Sequence, residues 1–425
     1  MKILLVVHRF WPQLAGTELY TLNLARQLAE RHQVLVYYRD HDSAAPGFQA
    51  ADDRAAGIAV RRVSLNLAGL QRNRYRQFVS SYRNLEIEHD FDQTLARYQP
   101  EVVHFQHLMY LSVKLVELAS QRGVPTVITL HDFWFKCNNG LLLRHTGELC
   151  AGTEEFRACV DCAAGRRRRP EAMRRLTAQV LKDRDWQLRQ ALRLAGRVIA
   201  PSRFLKDEFV RDGYLPADAI QVVENGVDAS GALPHRVRAD GDAVRFAYIG
   251  SIAPHKGVHV LVEAFNGVRG AARLDVYGDL TAEPAYVEGL RGRIARPELS
   301  LRGALGREAL WHALSQVDAL VVPSLWYEAN SPLVVREALA AGVPVVVSDL
   351  GAAAELIRHG VNGLRFPAGD AAALRTTLQQ LVDAPHQIEA MRRAIEPPPS
   401  AADNARRLEA VYGGLLGAQP SAGGV

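Results

Sequence analysis

Two glutamates and the start of a helix stand close together late in the chain, and residues of these types can bind a phosphorylated ligand. An apolar strand is predicted to end at Val322. Ser331 and Pro332 then predict a helix start, because a serine hydroxyl caps free backbone N–H groups and proline suits the first helical position. The N-terminus of a helix attracts anions such as a diphosphate. The sequence therefore predicts an anion site with Glu328 before the helix and Glu337 inside it.

A lysine in a glycine-bounded loop is a second candidate for phosphate binding. The segment Arg245–Ile249 is a predicted strand, and the loop from Gly250 to Gly257 follows it directly. This loop contains Ser251 and Lys256. Backbone N–H groups of such a loop, together with one ammonium group, can contact phosphate oxygens. We therefore predict a phosphate contact here.

A histidine follows a third predicted strand. His131 comes directly after the apolar segment Val127–Leu130, and Asp132 follows it. Most single histidines are surface groups or satisfied structural partners. A titratable group at the carboxyl end of a strand is better placed for function, because open α/β sheets hold their ligands there. We predict a functional role for His131.

The elements that must position these residues alternate between strand and helix along the chain. Lys2–Val7 and Val34–Tyr38 are predicted strands, and apolar residues at helical spacing over 19–29 predict the helix that connects them. This order is typical of parallel sheets with helices on both faces. The sequence therefore predicts an α/β protein with doubly wound, Rossmann-like sheets.

The length and the breaks in the pattern predict two domains. The chain has 425 residues, enough for two or three full cores. Asp228–Asp242 is rich in glycine, proline, alanine and charged residues, so we predict a linker there. The predicted parts are an N-terminal domain at 1–230 with a cysteine-containing insertion at about 137–165, a C-terminal domain at 240–400 and a last helix at 401–418.

The composition is that of an ordinary globular protein. Hydrophobic residues make up 48% and charged residues 23% of the chain, and no apolar run approaches the roughly 18 residues of a membrane span. The opening segment meets a charge at Arg9, which favours a first strand over a signal peptide, so we expect a cytoplasmic protein. The net charge of +5 fits anionic substrates or an anionic membrane surface, and no nucleic-acid motif is present.

All four cysteines fall in the predicted insertion. They are Cys137, Cys150, Cys159 and Cys162. Four thiolates match the ligand number of tetrahedral structural zinc, and the last two have Cys-x2-Cys spacing. The first two lack that spacing, so reduced free thiols are the alternative. Neither reading is catalytic.

A long basic helix is predicted after the insertion, over Glu171–Ala195. Its plain interpretation is a solvated basic helix, in which Asp183 and Asp185 interrupt the positive charge. The alternative is peripheral contact with an anionic membrane at the inner face, where a lipid-linked acceptor would be reached.

The stretch Val321–Phe366, called the late stretch below, resembles the nucleotide-recognition segment of retaining GT-B glycosyltransferases of the family-4 type. This family is also called glycosyl transferases group 1. The resemblance rests on Glu337-Ala338, Gly342-Val343-Pro344-Val345 and Glu355-Leu356. It departs from the usual pattern in spacing, because Glu328 and Glu337 form Glu-x8-Glu where the family has Glu-x7-Glu, with Ala329 as the extra residue. Ser251 replaces an arginine, and Ala15-Gly16 replaces a glycine pair.

The resemblance implies a fold and a set of roles. It implies two Rossmann-like domains facing across a cleft, with the last helix returning to the N-terminal domain. Glu337 would accept ribose hydroxyls, Glu328 would orient hydroxyls of the donor sugar and His131 would lie near the reacting sugar. The implied catalytic residues are His131, Glu328 and Lys256. The implied donor-binding residues are Gly16, Gly250, Ser251, Lys256, Glu328, Ser331, Pro332, Leu333, Val334 and Glu337.

The implied reaction moves a sugar from a UDP or GDP sugar to a saccharide or lipid-linked acceptor with retention, in polysaccharide or glycolipid synthesis. Residues 321–366 contain no Asp-x-Asp pair, so we expect the diphosphate to be stabilised by Lys256 and the helix N-terminus without a catalytic metal or other cofactor. Two other functions stay open. One is a sugar-nucleotide epimerase on the same frame, and the other is a non-catalytic subunit that binds nucleotide sugar.

Overall fold

The computed structural model describes residues 1–12, 15–41, 47–65, 74–152, 156–164, 170–239, 241–330 and 332–417. The chain divides into two units. The first unit consists of Met1–Gly226 together with Ala401–Val425, and the second consists of Val227–Ser400. Each unit has its own sheet and its own buried apolar core.

Eight strands form the sheet of the first unit within the described residues. They are β1 Lys2–Val7, β2 Gln33–Asp40, β3 Phe48–Ala55, β4 Ile58–Leu65, β5 Val102–Phe105, β6 Thr126–Thr129, β7 Arg197–Ala200 and β8 Ile220–Val222. Their order across the sheet is β3-β4-β2-β1-β5-β6-β7-β8, and every pair is parallel except β3 with β4. The central strands β1, β5 and β6 are buried along almost their whole length, because helices cover both faces of such a sheet.

Helices connect these strands in the first unit. They are α1 Gly16–Ala29, α2 Arg74–Val79, α3 Leu85–Tyr98, α4 Leu115–Gln121, α5 Arg157–Ala164, α6 Glu171–Leu194 and α7 Arg203–Arg211. Local sequence sets their starts. The Ser202 hydroxyl, for example, accepts a hydrogen bond from the Leu205 backbone N–H at 3.1 Å and caps α7.

Six parallel strands form the sheet of the second unit within the described residues. They are β9 Val244–Ile249, β10 Ala272–Tyr277, β11 Leu299–Arg302, β12 Ala319–Val322, β13 Val345–Ser348 and β14 Gly363–Phe366. The helices are α8 Val258–Asn266, α9 Pro284–Arg291, α10 Arg307–Gln316, α11 Leu333–Ala340, α12 Gly351–Glu355, α13 Ala371–Asp383 and α14 His386–Arg393. The strand order is β11-β10-β9-β12-β13-β14, so the direction of winding reverses between β9 and β12. Ligands of open α/β sheets bind at such a switch point.

The last helix, α15 Ala401–Gly417, belongs to the first unit, as predicted. Polar contacts fix it there over long sequence distances. The Tyr20 hydroxyl donates to Asn404 Oδ1 at 3.0 Å, and Asn404 Nδ2 donates to the Glu224 carbonyl at 2.7 Å. The Tyr412 hydroxyl and His104 Nδ1 are 2.6 Å apart and buried.

The predicted doubly wound α/β fold is confirmed, and the differences are local. The sequence did not predict the antiparallel pair β3–β4, because half of the residues of β3 are polar, most are exposed, and the strand pairs only with β4. The segment predicted as a linker, Asp228–Asp242, lies in the second unit, where Arg236 donates to the Asp318 carboxylate at 2.8 Å. None of the helices in the described part of the chain combines the length and apolar composition that a membrane crossing needs.

Candidate functional site

The second unit brings two of the predicted residues into direct contact at its switch point. Lys256 ends the loop after β9, and Glu328 lies in the loop after β12. Lys256 Nζ is 2.9 Å from Glu328 Oε1. The same oxygen accepts hydrogen bonds from the Ser324 hydroxyl at 2.6 Å and from Trp326 Nε1 at 3.1 Å. Glu328 is therefore a buried carboxylate whose charge is compensated by an ammonium group.

The indole of Trp326 also supports the lysine. Lys256 Nζ lies 4.7 Å from the centre of the Trp326 ring, a cation–π distance. The backbone N–H of Leu325 donates to the His255 carbonyl at 2.9 Å, which ties the two loops together. The Lys256 ammonium is consequently held in one place by neighbours from both sides of the switch point.

Two glycines allow this close approach of the loops. Gly257 has φ +71°, and a Cβ there would lie 1.9 Å from the Pro323 carbonyl oxygen. Gly351 has φ +67°, and its Cβ would lie 2.8 Å from the Glu328 backbone nitrogen. Residues with a side chain cannot occupy either position without moving the backbone. The glycines thus fix the positions of Lys256 and Glu328.

The predicted helix start is confirmed as α11, which begins at Leu333, directly after Pro332. Pro332 precedes its first turn, and the backbone N–H groups of Leu333 and Val334 have no acceptor within the helix. Ser331 lies outside the described residues. The helix ends before Gly342, which has a left-handed conformation with φ +72° and so suits the end of a helix. The N-terminus of α11 offers N–H donors and a partial positive charge to an anion.

Glu337 is buried on α11 and has a partner that the sequence did not predict. Its carboxylate pairs with the Arg307 guanidinium at the start of α10. The Glu337 side chain is 7% exposed and the Arg307 side chain 42% exposed. The carboxylate therefore faces a cation that solvent can reach and that a ligand can displace.

Gly250 and Ser251 follow β9 in the same loop as Lys256. The Gly250 backbone N–H donates to the Tyr277 carbonyl at 3.1 Å, and the Ser251 carbonyl accepts from the Tyr248 hydroxyl at 2.6 Å. Both residues are exposed at the carboxyl end of β9. Their position suits backbone contacts to a ligand.

In the first unit, His131 is buried directly after β6. Its Nε2 donates to Gln106 Oε1 at 2.8 Å, and the ring lies edge-on to Tyr20 at 5.1 Å. Burial lowers the pKa of His131 to about 3, so the imidazole is neutral at physiological pH. Gly16 is the exposed first residue of α1, one turn before Tyr20.

Sequence reasoning missed a second histidine at this edge of the sheet. His107 Nδ1 accepts from the Met109 backbone N–H at 3.2 Å, so Nε2 carries the proton and donates to Asp132 Oδ2 at 3.1 Å. Burial opposes ionisation of Asp132, but the electrostatic interaction with His107 and the hydrogen bond from it hold the pKa of that carboxyl below its usual value. His107 follows β5 at the switch point of the first sheet, a position that the strand pattern alone could have marked.

His8 completes this cluster on the other side of the switch point. It follows β1, and its ring lies 4.3 Å from that of His107. Its Nε2 is 3.3 Å from the Glu18 carboxylate. Burial lowers the pKa of His8 and raises that of Glu18. The edge is therefore a buried polar surface with little net charge, which suits contacts to sugar hydroxyls rather than to phosphate.

Zinc binding by the four cysteines stays a prediction. The structure brings the four cysteines into one neighbourhood. Burial, and after it the electrostatic effect of the other three cysteines, raises the pKa of the Cys159 thiol to about 12. Within the described residues, however, no three His, Cys, Asp or Glu side chains are placed to hold a metal ion. The Cys137 thiol instead donates to Asn139 Oδ1 at 2.8 Å, and the Cys150 thiol donates to the Gly152 carbonyl at 3.2 Å. All four are free thiols.

Asp-x-Asp triplets occur outside the late stretch, and their geometry matters because such pairs can bind a metal with a diphosphate. Of the four such triplets in the sequence, Asp40–Asp42 and Asp240–Asp242 each include a residue outside the described part of the chain, whereas Asp90–Asp92 and Asp183–Asp185 lie in the first unit. Their carboxylates are already engaged: Asp90 pairs with Arg61, Asp92 with Arg122 at 2.6 Å and Asp185 with Arg189 at 2.7 Å. These triplets therefore contribute to ion pairs within the first unit.

Comparison with solved structures identifies the architecture. Anabaena Alr3699/HepE in complex with UDP has a TM-score of 0.65 with this chain at 18% sequence identity, and the match covers 97% of this chain and 100% of that chain. The two parallel α/β units are those of GT-B proteins. The fold, together with the loops that follow the strands at the switch point of each sheet, defines a protein with two Rossmann-like units.

Comparison of sequences identifies the family. Residues 14–230 match the model of Glycosyltransferase Family 4, and residues 243–384 match that of Glycosyl transferases group 1. The first match alone spans more than half of the 425 residues, and the chain belongs to this family.

Curated relatives agree with this assignment. The D-inositol 3-phosphate glycosyltransferase of Streptomyces scabiei is 26% identical over 394 residues, which cover 87% of this chain and 79% of the relative. An uncharacterized glycosyltransferase of Methanocaldococcus jannaschii, MJ1607, is 28% identical over 186 residues. That match covers 40% of this chain, and the chain spans only about half, 46%, of the relative's length.

Proposed function

We propose that this protein is a retaining, hexosyl-type glycosyltransferase that uses a nucleoside diphosphate sugar and no catalytic metal ion. The observation that carries this proposal is the Lys256–Glu328 pair at the switch point of the second unit, next to the segment that leads into α11. A donor of this class needs a cation and N–H groups for its diphosphate and carboxylates for its hydroxyls. The second unit supplies these groups.

The diphosphate is assigned to Lys256 and to the N-terminus of α11. When the bond between the sugar C1 and the phosphate oxygen breaks, negative charge grows on the leaving diphosphate. The Lys256 ammonium and the N–H groups of Leu333 and Val334 stabilise that charge, aided by the helix dipole. We assign the Ser331 hydroxyl and the Gly250–Ser251 backbone to the same group of donor contacts.

The two glutamates are assigned to hydroxyl groups of the donor. Glu337 accepts hydrogen bonds from the ribose and exchanges its Arg307 partner for them. Glu328 accepts from hydroxyls of the transferred sugar, and its contacts with Ser324 and Trp326 fix the direction of its carboxylate. Lys256 stays beside Glu328, so that the charge of the carboxylate remains compensated when the donor covers it.

The state of His131 fits a same-face mechanism. The acceptor oxygen forms a bond to C1 while the C1–O bond to the diphosphate breaks, and the acceptor proton passes to a phosphate oxygen of the leaving group. A histidine whose pKa is lowered to about 3 is a weak base, so it is better suited to hydrogen-bond the sugar than to take this proton. We assign His131 this positioning contact.

The wider role follows from these assignments. We propose that residues 240–400 bind a UDP or GDP sugar and that residues 1–230 bind a saccharide or lipid-linked acceptor. The resemblance to a structure that contains UDP and to an inositol phosphate glycosyltransferase supports this class of substrates. We place the reaction in polysaccharide or glycolipid synthesis in the cytoplasm, at the inner face of the membrane.

The test is nucleotide release from a panel of UDP, GDP and ADP sugars, with and without EDTA. We expect slow release from one donor at a rate that EDTA does not change. Lys256→Ala should reduce it about 100-fold, because it removes a charge that stabilises the leaving group. Lys182→Ala, an exposed lysine on α6, is the matched control.

Three outcomes contradict the proposal. Interconversion of the donor sugar without nucleotide release indicates an epimerase. A nucleotide that raises the melting temperature, without release in the presence of any saccharide or lipid-linked acceptor, indicates a binding subunit. Loss of release in EDTA that Mg²⁺ restores contradicts the metal-independent mechanism.

A further inference from the structure

Gln106 is a buried polar residue at the switch point of the first sheet. It follows β5 directly, is 1% exposed and donates its backbone N–H to the Val6 carbonyl at 2.7 Å. Its Oε1 accepts the hydrogen bond from His131 Nε2 at 2.8 Å, whereas its own Nε2 has no partner among the described residues. A glutamine that served only the core would satisfy both ends of its amide, because an unpaired buried N–H group costs free energy. The half-satisfied amide indicates a role that needs its oxygen.

Gln106 and His131 form the outer of two polar pairs between β5 and β6. The inner pair is His104 Nε2 with the Thr129 hydroxyl at 2.7 Å, and both pairs join residues that are 25 positions apart. Alternate residues of a strand face the same side of the sheet, so the two pairs lie one behind the other. The inner pair is fixed in turn by the contact of His104 with Tyr412 of α15. The outer pair therefore continues an ordered polar array that begins in the core.

The contact with Gln106 fixes both the rotation and the protonation of the His131 ring. An amide oxygen is only an acceptor, so the ring nitrogen that faces it must carry the proton. The Tyr20 ring lies edge-on to the imidazole at 5.1 Å and restricts it through a second contact. His131 is therefore held in one orientation and one neutral tautomer.

We propose that Gln106 is a positioning residue that acts on the transferred sugar through His131. The role toward the sugar rests on the proposed function, in which His131 hydrogen-bonds that sugar, whereas the control of the His131 tautomer does not. A ring that could turn or exchange tautomers would present the wrong group to the sugar for part of the time. Gln106 prevents this loss by preorganising the ring.

The tautomer of His131 is the first test. Long-range 1H–15N correlation spectra of protein labelled with 15N-histidine distinguish protonated from unprotonated ring nitrogens, and His131→Asn identifies the signals. At pH 7.5 we expect His131 as a single tautomer with the proton on Nε2. In Gln106→Met, which has a similar volume and no acceptor oxygen, we expect a mixture of tautomers. Gln121→Met, at an exposed glutamine of α4, is the matched control and should leave the His131 signals unchanged.

The rate of nucleotide release at saturating donor is the second test. Gln106→Met should lower this rate about tenfold, because the misplaced imidazole no longer fits the transition state. The KM for the donor should change less than about threefold, since the assigned diphosphate and ribose contacts lie in the second unit. In the His131→Asn background the same substitution should change the rate less than about twofold, because Gln106 acts through His131. A merely structural role would produce the same loss in both backgrounds.

The proposal is overturned if the unaltered protein carries the His131 proton on Nδ1, or if Gln106→Met keeps the original tautomer. It is also overturned if Gln106→Met releases nucleotide at the unaltered rate, or if its loss adds to that of His131→Asn. The spectrum of the unaltered protein stays decisive even if Gln106→Met does not fold. If the unaltered protein releases nucleotide from no donor, the role toward the sugar fails together with the proposed function. The spectra alone then decide whether Gln106 fixes the tautomer.

Discussion

Replacing Glu337 by glutamine tests the assignment of the ribose most directly. Hydrogen bonds to a charged group contribute about 1.5–3 kcal/mol each, against about 0.5–1.5 kcal/mol for neutral ones. The two hydrogen bonds from ribose hydroxyls to this carboxylate should therefore contribute about 2–3 kcal/mol less binding free energy when the charge is removed. Breaking the ion pair between Arg307 and Glu337 on ribose binding costs little free energy. The Arg307 side chain is 42% exposed, and ion pairs that solvent can reach contribute about 0–1 kcal/mol to stability.

The expected result is a nucleotide Kd about 30- to 150-fold higher in Glu337→Gln. Isothermal titration calorimetry should use whichever of UDP, GDP and ADP raises the melting temperature most. Glu288→Gln is the matched control, since this glutamate is 75% exposed and pairs with Arg291 at 3.2 Å in the same unit. Arg307→Gln should bind nucleotide equally or up to about fivefold more tightly, because the ribose then displaces no cation.

Two results would refute this reasoning. A Kd for Glu337→Gln within threefold of the unaltered protein would remove Glu337 from the ribose site. A large loss of affinity in Arg307→Gln would mean that Arg307 itself contacts the nucleotide, so that the pair is not exchanged on binding. The melting temperature without nucleotide checks that each variant is folded.

Two further predictions concern the first unit. Since the pKa of His131 is about 3 in the folded state and about 6.5 in the unfolded state, only the unfolded chain takes up this proton as the pH falls below 6.5, and stability falls with it. This one group should lower the free energy of unfolding by about 2 kcal/mol at pH 5. Urea denaturation should therefore show that His131→Asn loses less stability between pH 7.5 and pH 5 than the unaltered protein. An equal loss in the two proteins contradicts a lowered pKa of His131. Tyr412→Phe leaves the buried His104 Nδ1 without its hydroxyl partner and should cost about 1–3 kcal/mol in the same measurement at pH 7.5, whereas an unchanged midpoint would mean that this contact adds no stability.

The sequence by itself determined the elements and much of the second site. The apolar run after Met1 placed β1 at its observed bounds, because a strand covered on both faces is mostly apolar. Pro332 marked the start of α11, because its fixed backbone geometry suits the first turn of a helix. Local chemistry of this kind is written within a few residues, so the pattern is sufficient to find it.

The tertiary structure decided which of these residues meet. Glu328 receives a contact from Lys256, 72 positions away, and Glu337 one from Arg307, 30 positions away. His107 and Asp132 meet because β5 and β6 are neighbours in the sheet. Such contacts depend on the order of the strands, which no local pattern contains.

The same reason explains the cysteines and the last helix. Spacing predicted four cysteine ligands in one insertion, whereas the positions of the thiols depend on how the insertion folds, and there the Cys137 and Cys150 thiols donate to oxygens of nearby residues. The sequence located α15, whereas the Tyr412–His104 contact spans 308 positions and exists only after the whole first unit has formed. The sequence thus determined which groups are available, and the packing of distant segments decided which groups act together.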